Sequence, residues 1–251
     1  MLSKNKIKYI RSLELKKFRS LNGAFVAEGN KLVESLMGVF ECEWMLAKPS
    51  WMATRGDIAS DELLADEDDE IRKVSFLSTP QDVIAVFRLP SYGMEEVDAS
   101  VSLVLALDGV QDPGNLGAIV RIAAWFGIGH VICSADCADV FSPKAVQATM
   151  GAVGSVKVHY TSLTDYLSAQ SRSTPVYGAF MDGDNLYKSD LTPSGIIIMG
   201  NEGNGIREDV GRFARRRLLI PSSAPSVTSP DSLNVATATA IVCAEFRRRF
   251  A

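Results

Sequence analysis

The chain has 251 residues, of which 47% are apolar and 22% are charged, and its formal net charge is −4. These values are typical of a globular protein and exclude overall disorder or a collagen-like repeat. The length allows one large domain or two modest ones. No apolar run reaches the length of about 18 residues that spanning a bilayer requires, so no membrane association is expected.

The first 90 residues predict a small α/β domain. They open with a basic segment whose apolar residues, from Ile7 to Phe18, suit one face of a helix. A helical pattern at Asn30–Met37 follows the first of four short apolar runs, which are Ala24–Ala27, Trp44–Ala47, Val74–Leu77 and Val83–Phe87. Seven acids within residues 61–70 predict a solvated surface. Chain-breaking residues after Leu89 predict a linker over residues 91–99.

From residue 100 onward the pattern predicts a second domain built on a mainly parallel sheet. Helical patterns separate most of its strand candidates, and the candidates are apolar at consecutive positions, as expected for strands buried on both faces. They are Val101–Leu107, His130–Cys133, Val156–Tyr160, Val176–Phe180, Gly195–Met199 and Arg217–Ile220. Ligands of such sheets bind beyond the carboxyl ends of the strands, so the loops there are the candidate site.

Cysteine and histidine usage favours a cytoplasmic protein without a metal. The four cysteines lack CxxC spacing, and the chain has only two histidines, so no zinc site is expected. Thiols outside disulfides suit a reducing compartment. The N-terminal segment lacks the apolar core of a secretory signal, and an acidic residue and a helical pattern favour a folded segment over a transit peptide.

The loop after Val101–Leu107 runs from Asp108 to Gly117 and precedes a helix. Its glycine spacing resembles a P-loop, but Asn115 and Leu116 occupy the places of the required Lys and Ser or Thr. Taken alone, this loop favours a structural interpretation, with Asn115 as a helix N-cap and Arg121 as a solvated helix arginine.

The loop after Gly195–Met199 reads Gly-Asn-Glu-Gly-Asn-Gly over residues 200–205. Three glycines permit unusual backbone conformations and close approach of a ligand, although a tight turn without a ligand fits as well. The order GxxGxG is not the dinucleotide fingerprint, which argues against a Rossmann enzyme. Glu202 would repel a pyrophosphate and suits a ligand with a hydroxyl group or a positive charge.

The third loop begins at Ile220-Pro221, continues through a Ser/Pro-rich stretch, and ends in Ser232-Leu233-Asn234-Val235 before an alanine-rich helix. Ser229 or Asp231 is a candidate N-cap of that helix. The helix ends in three arginines, which either complement the helix dipole or contact phosphate.

In their order and spacing, the three loops resemble motifs 1, 2 and 3 of the SpoU, or TrmH, family of RNA ribose 2'-O-methyltransferases. Motif 1 corresponds to Asn115–Ala123, motif 2 to Ile198–Ile206 and motif 3 to Ile220-Pro221 with Ser232–Val235. Residues 5–90, with Phe25–Glu34, are similar to the L30e-like substrate-binding domain often fused in front. The expected domains are therefore an RNA-binding domain at 1–90, a linker at 91–99 and a SPOUT catalytic domain at 100–251.

The resemblance implies a C-terminal trefoil knot, S-adenosylmethionine as cofactor, and a homodimer in which each site borrows residues from the partner. The residues at the family's cofactor positions, or in the adjoining loops, are Ala179, Phe180, Gly200, Asn201, Gly203, Ile220 and Leu233. The residues at its catalytic positions are Asn115, Arg121, Glu202, Ser232 and Asn234. Arg121 would fix a phosphate and stabilise the developing alkoxide, since a guanidinium is a poor base.

The RNA partner is expected to contact basic residues of the N-terminal segment and of the site's surroundings. These are Lys4, Lys8, Arg11, Lys16, Lys17, Arg19, Lys144 and Arg207, although such residues are often merely solvated. Ribosomal RNA is favoured over transfer RNA because the extra N-terminal domain is commonest in that group. Two alternatives stay open, a non-catalytic RNA-binding or assembly protein and a base-nitrogen methyltransferase.

Two departures from the family pattern affect the third loop. Ala236 stands where a second serine is common, and the stretch between Pro221 and Asp231 is longer and richer in Ser and Pro than usual.

Overall fold

The computed structural model describes residues 2–55, 58, 60, 62–66, 69–223 and 232–250. The chain divides into two units, the first comprising Met1–Ser91 with Asp139–Gly154 and the second Tyr92–Ala138 with Ser155–Ala251. No helix in the described part of the chain is long and apolar enough to cross a bilayer.

The described helices and strands alternate along most of the chain. In chain order the helices are α1 Lys4–Ser12, α2 Lys16–Asn22, α3 Asn30–Leu36, α4 Pro49–Met52, α5 Pro113–Trp125, α6 Pro143–Thr149, α7 Leu163–Ser168, α8 Glu208–Gly211 and α9 Val235–Phe250. The strands are β1 Ala24–Glu28, β2 Cys42–Ala47, β3 Leu63–Ala65, β4 Val83–Arg88, β5 Leu103–Leu107, β6 His130–Cys133, β7 Lys157–Tyr160, β8 Val176–Asn185, β9 Gly195–Met199 and β10 Arg216–Leu219.

The first unit contains a mixed sheet in the order β1-β4-β2-β3. β4 is antiparallel to β1 and β2, and β3 is parallel to β2. Alternate residues of β1 point to opposite faces. On one face Val26 packs with Ile10 and Leu13 from α1 and the turn after it. On the other face the ring of Phe25 lies 4.8 Å from that of Phe141, just before α6. Helices α1 and α6 therefore cover opposite faces.

Three of the four short apolar runs of this unit form the strands β1, β2 and β4, but the run Val74–Leu77 is not a strand. The third strand is β3 instead. After β3 the buried carboxylate of Asp66 accepts the backbone N–H groups of Glu70 and Ile71, which turns the chain into a short 3-10 helix. Val74 then enters the core from this turn. The acidic run is thus only partly solvated, because Asp66 and Glu70 are buried.

The second unit contains six parallel strands in the order β10-β8-β9-β5-β6-β7. All six strand candidates are confirmed to within a few residues, and β8 is longer than predicted. The core on one face of the sheet includes Val104, Ile132 and Ile196. The predicted α/β class with a parallel sheet is confirmed, and the trefoil knot stays a prediction.

Helix α5 begins one turn earlier than Asn115 would require as its N-cap. Asp112 caps the helix, because its Oδ1 accepts the backbone N–H of Asn115 at 2.8 Å. Pro113 follows at the first helical position, where its missing N–H has no cost. The side chain of Asn115 is therefore released from capping and points to another partner.

Candidate functional site

The site lies where two neighbouring strands of the second sheet end. β5 and β9 are parallel and in register from Leu103 opposite Gly195 to Leu107 opposite Met199, so the turns that follow them leave the same edge of the sheet. The turn after β5 contains Asp108 and Gly109, and the turn after β9 is the glycine-rich stretch of residues 200–206. We call this stretch the glycine loop.

The glycine loop is closed on itself by backbone hydrogen bonds. Asn201 and Gly205 exchange N–H···O bonds of 2.9 and 3.0 Å. A Cβ atom on Gly200 would lie 2.2 Å from the carbonyl carbon of Gly205, so no larger residue fits there without moving the loop. Gly205 has φ +69°, a conformation that favours glycine. Close packing thus explains Gly200, and the positive φ explains Gly205.

The side chain of Asn201 fixes the loop internally and to β5. Its Oδ1 accepts the N–H groups of Gly203 and Asn204 at 2.9 and 3.0 Å. Its Nδ2 donates to the carbonyl of Gly109 at 2.7 Å. The resemblance placed Asn201 among the cofactor positions, and the structure shows that its side-chain atoms bind the protein itself.

Three polar residues from the three motifs form one hydrogen-bonded chain. Asn115 Nδ2 donates to Glu202 Oε1 at 2.7 Å, and Asn234 Nδ2 donates to Asn115 Oδ1 at 3.0 Å. All three were predicted as catalytic positions, and the structure brings them together although Asn115 and Asn234 are 119 residues apart. We call this chain the Asn-Asn-Glu network.

Asn234 also begins helix α9. Its Oδ1 accepts the N–H groups of Ala236 and Thr237 at 2.9 and 3.3 Å, which is the geometry of an N-cap. The alternative N-caps proposed from the sequence, Ser229 and Asp231, lie outside the described residues. One side chain thus caps α9 with its oxygen and orients Asn115 with its amide nitrogen.

A cleft of about 590 Å³ opens beside the glycine loop. All seven predicted cofactor residues line it, as do Glu202 and Ser232. The remaining wall is largely apolar and includes Met181, Leu218 and Val235.

One wall of the cleft comes from an irregular part of β8. Arg217 of β10 pairs with Gly178, but the next residue, Leu218, pairs with Asp184. The five residues between them on β8, 179–183, therefore have no partner on β10 and bulge out of the sheet. Beside this bulge, the guanidinium carbon of Arg217 on β10 lies 3.4 Å from the centre of the Phe180 ring. The bulge places Ala179, Phe180 and Met181 against the cleft.

A buried ion pair joins the end of the glycine loop to the end of β5. The carboxylate of Asp108 has no exposed side-chain surface and accepts the backbone N–H and the Nε–H of Arg207, each at 2.8 Å. The hydrogen bond and the charge of Asp108 raise the pKa of the Arg207 guanidinium. Arg207 also pairs with Asp136 at 3.3 Å. The sequence suggested Arg207 as an RNA contact and gave Asp108 no role.

Arg121 is exposed on α5 and lies outside the Asn-Asn-Glu network. The predicted orientation of the helix is confirmed, because Ile119 is fully buried whereas Arg121 faces outward. Trp125, one turn further along the same face, is 84% exposed.

The predicted RNA contacts differ in their surroundings. Lys4 and Lys8 are exposed on α1, and Lys16 and Lys17 are exposed on α2. Lys144 is exposed on α6, which covers the sheet face opposite to α1. Arg19 is buried, where its guanidinium pairs with Asp139 at 2.5 Å and donates to the carbonyls of Leu13 and Glu14. A guanidinium with its donors used in this way has few left for a phosphate.

Arg11 is exposed at the end of α1 but is already engaged within the first unit. Its Nη1 donates to the carbonyl of Ser75 at 2.6 Å, and its guanidinium lies over the ring of Phe76.

The residues that sequence reasoning missed are those that hold the loops in place, above all Asp108 and Asp136. Each lies in a turn that directly follows a buried parallel strand, which is the position that could have drawn attention to it.

An α/β unit whose three polar loops converge beside a cleft at the carboxyl ends of parallel strands is the arrangement of a ligand-binding enzyme domain. Residues 102–244 match the SpoU rRNA Methylase family, and the chain belongs to this family. Residues 4–85 match the MRM3-like substrate binding domain.

Relatives with known names or structures resemble the chain over almost its whole length. The 23S rRNA (guanosine(2553)-2'-O)-methyltransferase RlmP of Bacillus subtilis is 29% identical over 96% of each chain. A TrmH-family protein from Porphyromonas gingivalis is 41% identical and superposes with a TM-score of 0.89 over 99% of each chain. An AdoMet-bound rRNA methyltransferase from Sinorhizobium meliloti is 28% identical, with a TM-score of 0.85 over 100% of this chain and 97% of its own.

Proposed function

We propose that the protein transfers a methyl group from S-adenosylmethionine to a ribose 2'-hydroxyl of ribosomal RNA. The observation that carries the proposal is the Asn-Asn-Glu network, which joins all three motifs beside the cleft. The rRNA 2'-O-methyltransferase names of the relatives support the same reaction and substrate class.

The cleft fits the cofactor by its shape and its charge. Gly200 lets the loop close on itself beside the cleft, and the apolar wall suits an adenosine. A carboxylate at Glu202 suits a sulfonium, which is positive. Gly200, Ile220 and Leu233 would hold the cofactor, which supplies a methyl group already activated for attack by an oxygen nucleophile.

The polar side chains would orient the ribose and stabilise the charge that develops on it. Asn115 and Glu202 would fix the position of the 2'-hydroxyl, while Asn234 holds Asn115 and Ser232 lies at the rim. Arg121 would bind the adjacent phosphate and stabilise the developing alkoxide.

We also propose that two copies of the chain form the active unit. Arg121 and the exposed Trp125 share one face of α5, and an exposed tryptophan next to an arginine is typical of an interface. A second copy seated on this face would bring its own Arg121 towards the first copy's cleft.

Mixing two inactive variants tests this arrangement. Equal amounts of Arg121→Ala and Asn234→Ala chains, unfolded and refolded together, should regain about a quarter of wild-type activity, because half of the dimers then have one intact site. If Arg121 acts within its own chain, every site in the mixture lacks one residue and no activity returns.

RNA would bind the first unit through the exposed lysines of α1 and α2, namely Lys4, Lys8, Lys16 and Lys17. Arg19 and Arg207 are left out because their guanidinium groups are bound to carboxylates, and Lys144 because its helix α6 covers the sheet face opposite to α1. The four cysteines, all within the described residues, form no disulfide, which suits a cytoplasmic protein.

The proposed activity is tested by methyl transfer from labelled S-adenosylmethionine to total rRNA and, separately, total tRNA. Label in rRNA at an alkali-resistant linkage, absent with Arg121→Ala, is the expected result. Label released on bases would instead establish a base methyltransferase. Binding of RNA without binding of the cofactor would establish a non-catalytic RNA-binding protein.

A further inference from the structure

We propose that Arg207 is a positioning residue that holds the glycine loop in its cofactor-binding shape through Asp108 and Asp136. We call these three residues the clasp. The inference rests on the proposed function, because the loop it fixes is the one that would receive S-adenosylmethionine.

The clasp closes the glycine loop at its far end. The loop leaves β9 at Gly200 and reaches α8 at Arg207, whose backbone N–H and Nε–H both donate to the buried Asp108 at 2.8 Å. Asp108 follows β5 directly, and its own N–H donates to the carbonyl of Met199 at 2.9 Å. The Asp108 carboxylate thus ties the end of the glycine loop to β5, the strand next to the one from which the loop starts.

Two further contacts hold the other parts of the loop. Asn201 binds the carbonyl of Gly109 near the start of the loop, and Glu202 binds Asn115 at its tip. Gly109 adjoins Asp108 and adopts φ +69°, and a Cβ on it would lie 3.5 Å from Asp136 and 3.7 Å from Asn201. The turn after β5 therefore holds the loop at both ends. Gly109 binds Asn201 at the beginning of the loop, and Asp108 of the clasp binds Arg207 at its end.

Charge and burial favour this role over an RNA contact. Arg207 faces two carboxylates, and Asp108 is fully buried whereas the Arg207 side chain is 48% exposed. A buried carboxylate requires its partner. The Arg207 guanidinium reaches Asp108 through Nε and Nη2 while its Nη1 lies 3.3 Å from Asp136, a set of donors that a lysine ammonium cannot reproduce. A phosphate at Arg207 would have to compete with both carboxylates.

The experiment compares Arg207→Lys with Arg212→Lys in the full-length chain. Arg212 is an exposed arginine at the end of α8 that contacts the ring of Phe213 and has no role in the proposed site. For each variant we would measure S-adenosylmethionine affinity by calorimetry, hydrogen exchange of residues 200–207, and RNA affinity over a range of salt concentrations.

If the clasp acts as proposed, Arg207→Lys raises the Kd for S-adenosylmethionine at least tenfold and speeds exchange across the glycine loop. The RNA affinity and its salt dependence stay unchanged, and Arg212→Lys behaves as wild type. Asp136→Asn removes only the charge of the outer carboxylate and should raise the cofactor Kd two- to threefold, so it decides the question if Arg207→Lys does not fold.

The proposal is overturned if Arg207→Lys and Asp136→Asn leave cofactor affinity and loop exchange unchanged. It is also overturned if Arg207→Ala weakens only RNA binding and lowers the salt slope by about one, the signature of a lost phosphate contact. If wild-type protein binds no S-adenosylmethionine, the proposed function fails, and the exchange measurement alone still judges whether Arg207 holds the loop.

Discussion

Replacing Asn115 by Asp should disrupt the Asn-Asn-Glu network more than removing the side chain altogether. Asn115 Nδ2 donates to Glu202 Oε1 at 2.7 Å, and an aspartate would place a second carboxylate oxygen at that distance. Two unit charges there repel by about 6 kcal/mol at an effective dielectric constant of ~20. Partial exposure of both side chains reduces this to about 2 kcal/mol.

The lost hydrogen bond to a charged acceptor adds about 2 kcal/mol, so Asn115→Asp should destabilise the protein by about 4 kcal/mol and Asn115→Ala by about 2. For a unit of this size, that corresponds to a decrease in Tm of roughly 8–16 °C and 4–8 °C, respectively. Thermal unfolding at neutral pH measures both, with wild-type protein in parallel.

The double variant Asn115→Asp with Glu202→Gln provides the matched control. It exchanges donor and acceptor, because the glutamine introduced at position 202 can donate to the aspartate introduced at position 115, and that aspartate can still accept from Asn234. Net charge and both hydrogen bonds are kept, so most of the stability lost in Asn115→Asp should return. The reasoning is refuted if Asn115→Asp is no less stable than Asn115→Ala, or if the exchange restores nothing. Activity of the double variant then shows whether a carboxylate is needed at position 202 itself.

Three further predictions concern the loop, a thiol and a buried acid. Gly200→Ala should abolish S-adenosylmethionine binding in calorimetry, because its Cβ would overlap Gly205, whereas Gly129→Ala, whose Cβ would meet nothing within 4 Å, should bind as wild type. Hydrogen bonds from the Cys133 and Ser134 side chains lower the pKa of the buried Cys137 to about 7, so the ultraviolet absorbance of its thiolate, measured as the difference between wild type and Cys137→Ser, should rise through pH 7. A rise only above pH 8.5 would contradict this. Hydrogen bonds from Arg248 and Arg249 lower the pKa of Glu245 to about 2. The ion pairs therefore stabilise the fold above pH 4.5, and this stabilisation is lost as the pH falls towards 2. The difference in Tm between wild type and Glu245→Gln should therefore shrink across that interval, and a constant difference would refute it.

The second sheet could be predicted from the sequence because its signals are local. Strands buried on both faces are apolar at every position, and each is bounded by glycine or polar turns, so β5 and β9 could be identified one at a time. The apolar run Val74–Leu77 is not a strand, because an apolar stretch indicates that its residues are buried and not which conformation they adopt. What decides its conformation is the carboxylate of Asp66, which fixes the preceding turn.

The candidate site was predictable only as three separate loops. Each loop has its own motif, but the bonds that join Asn115 to Glu202 and to Asn234 link residues 87 and 119 positions apart. Such pairings depend on which strands become neighbours, and composition or periodicity carries no information about that. The positions were identified through the family pattern, and the geometry came only from the structure.

The basic residues show most clearly why sequence position alone misassigns function. A charged side chain in an amphipathic segment is expected at the surface, yet Arg19 lies in the interior because Asp139, 120 residues away, provides a carboxylate beside it. Arg207 is held in the same way by Asp108. Arg121, in contrast, stays exposed beside an exposed tryptophan and outside the network of its own chain. In this protein a guanidinium paired with a buried carboxylate holds the fold together, and one that faces outward beside apolar surface is the better candidate for work on RNA or on a second copy.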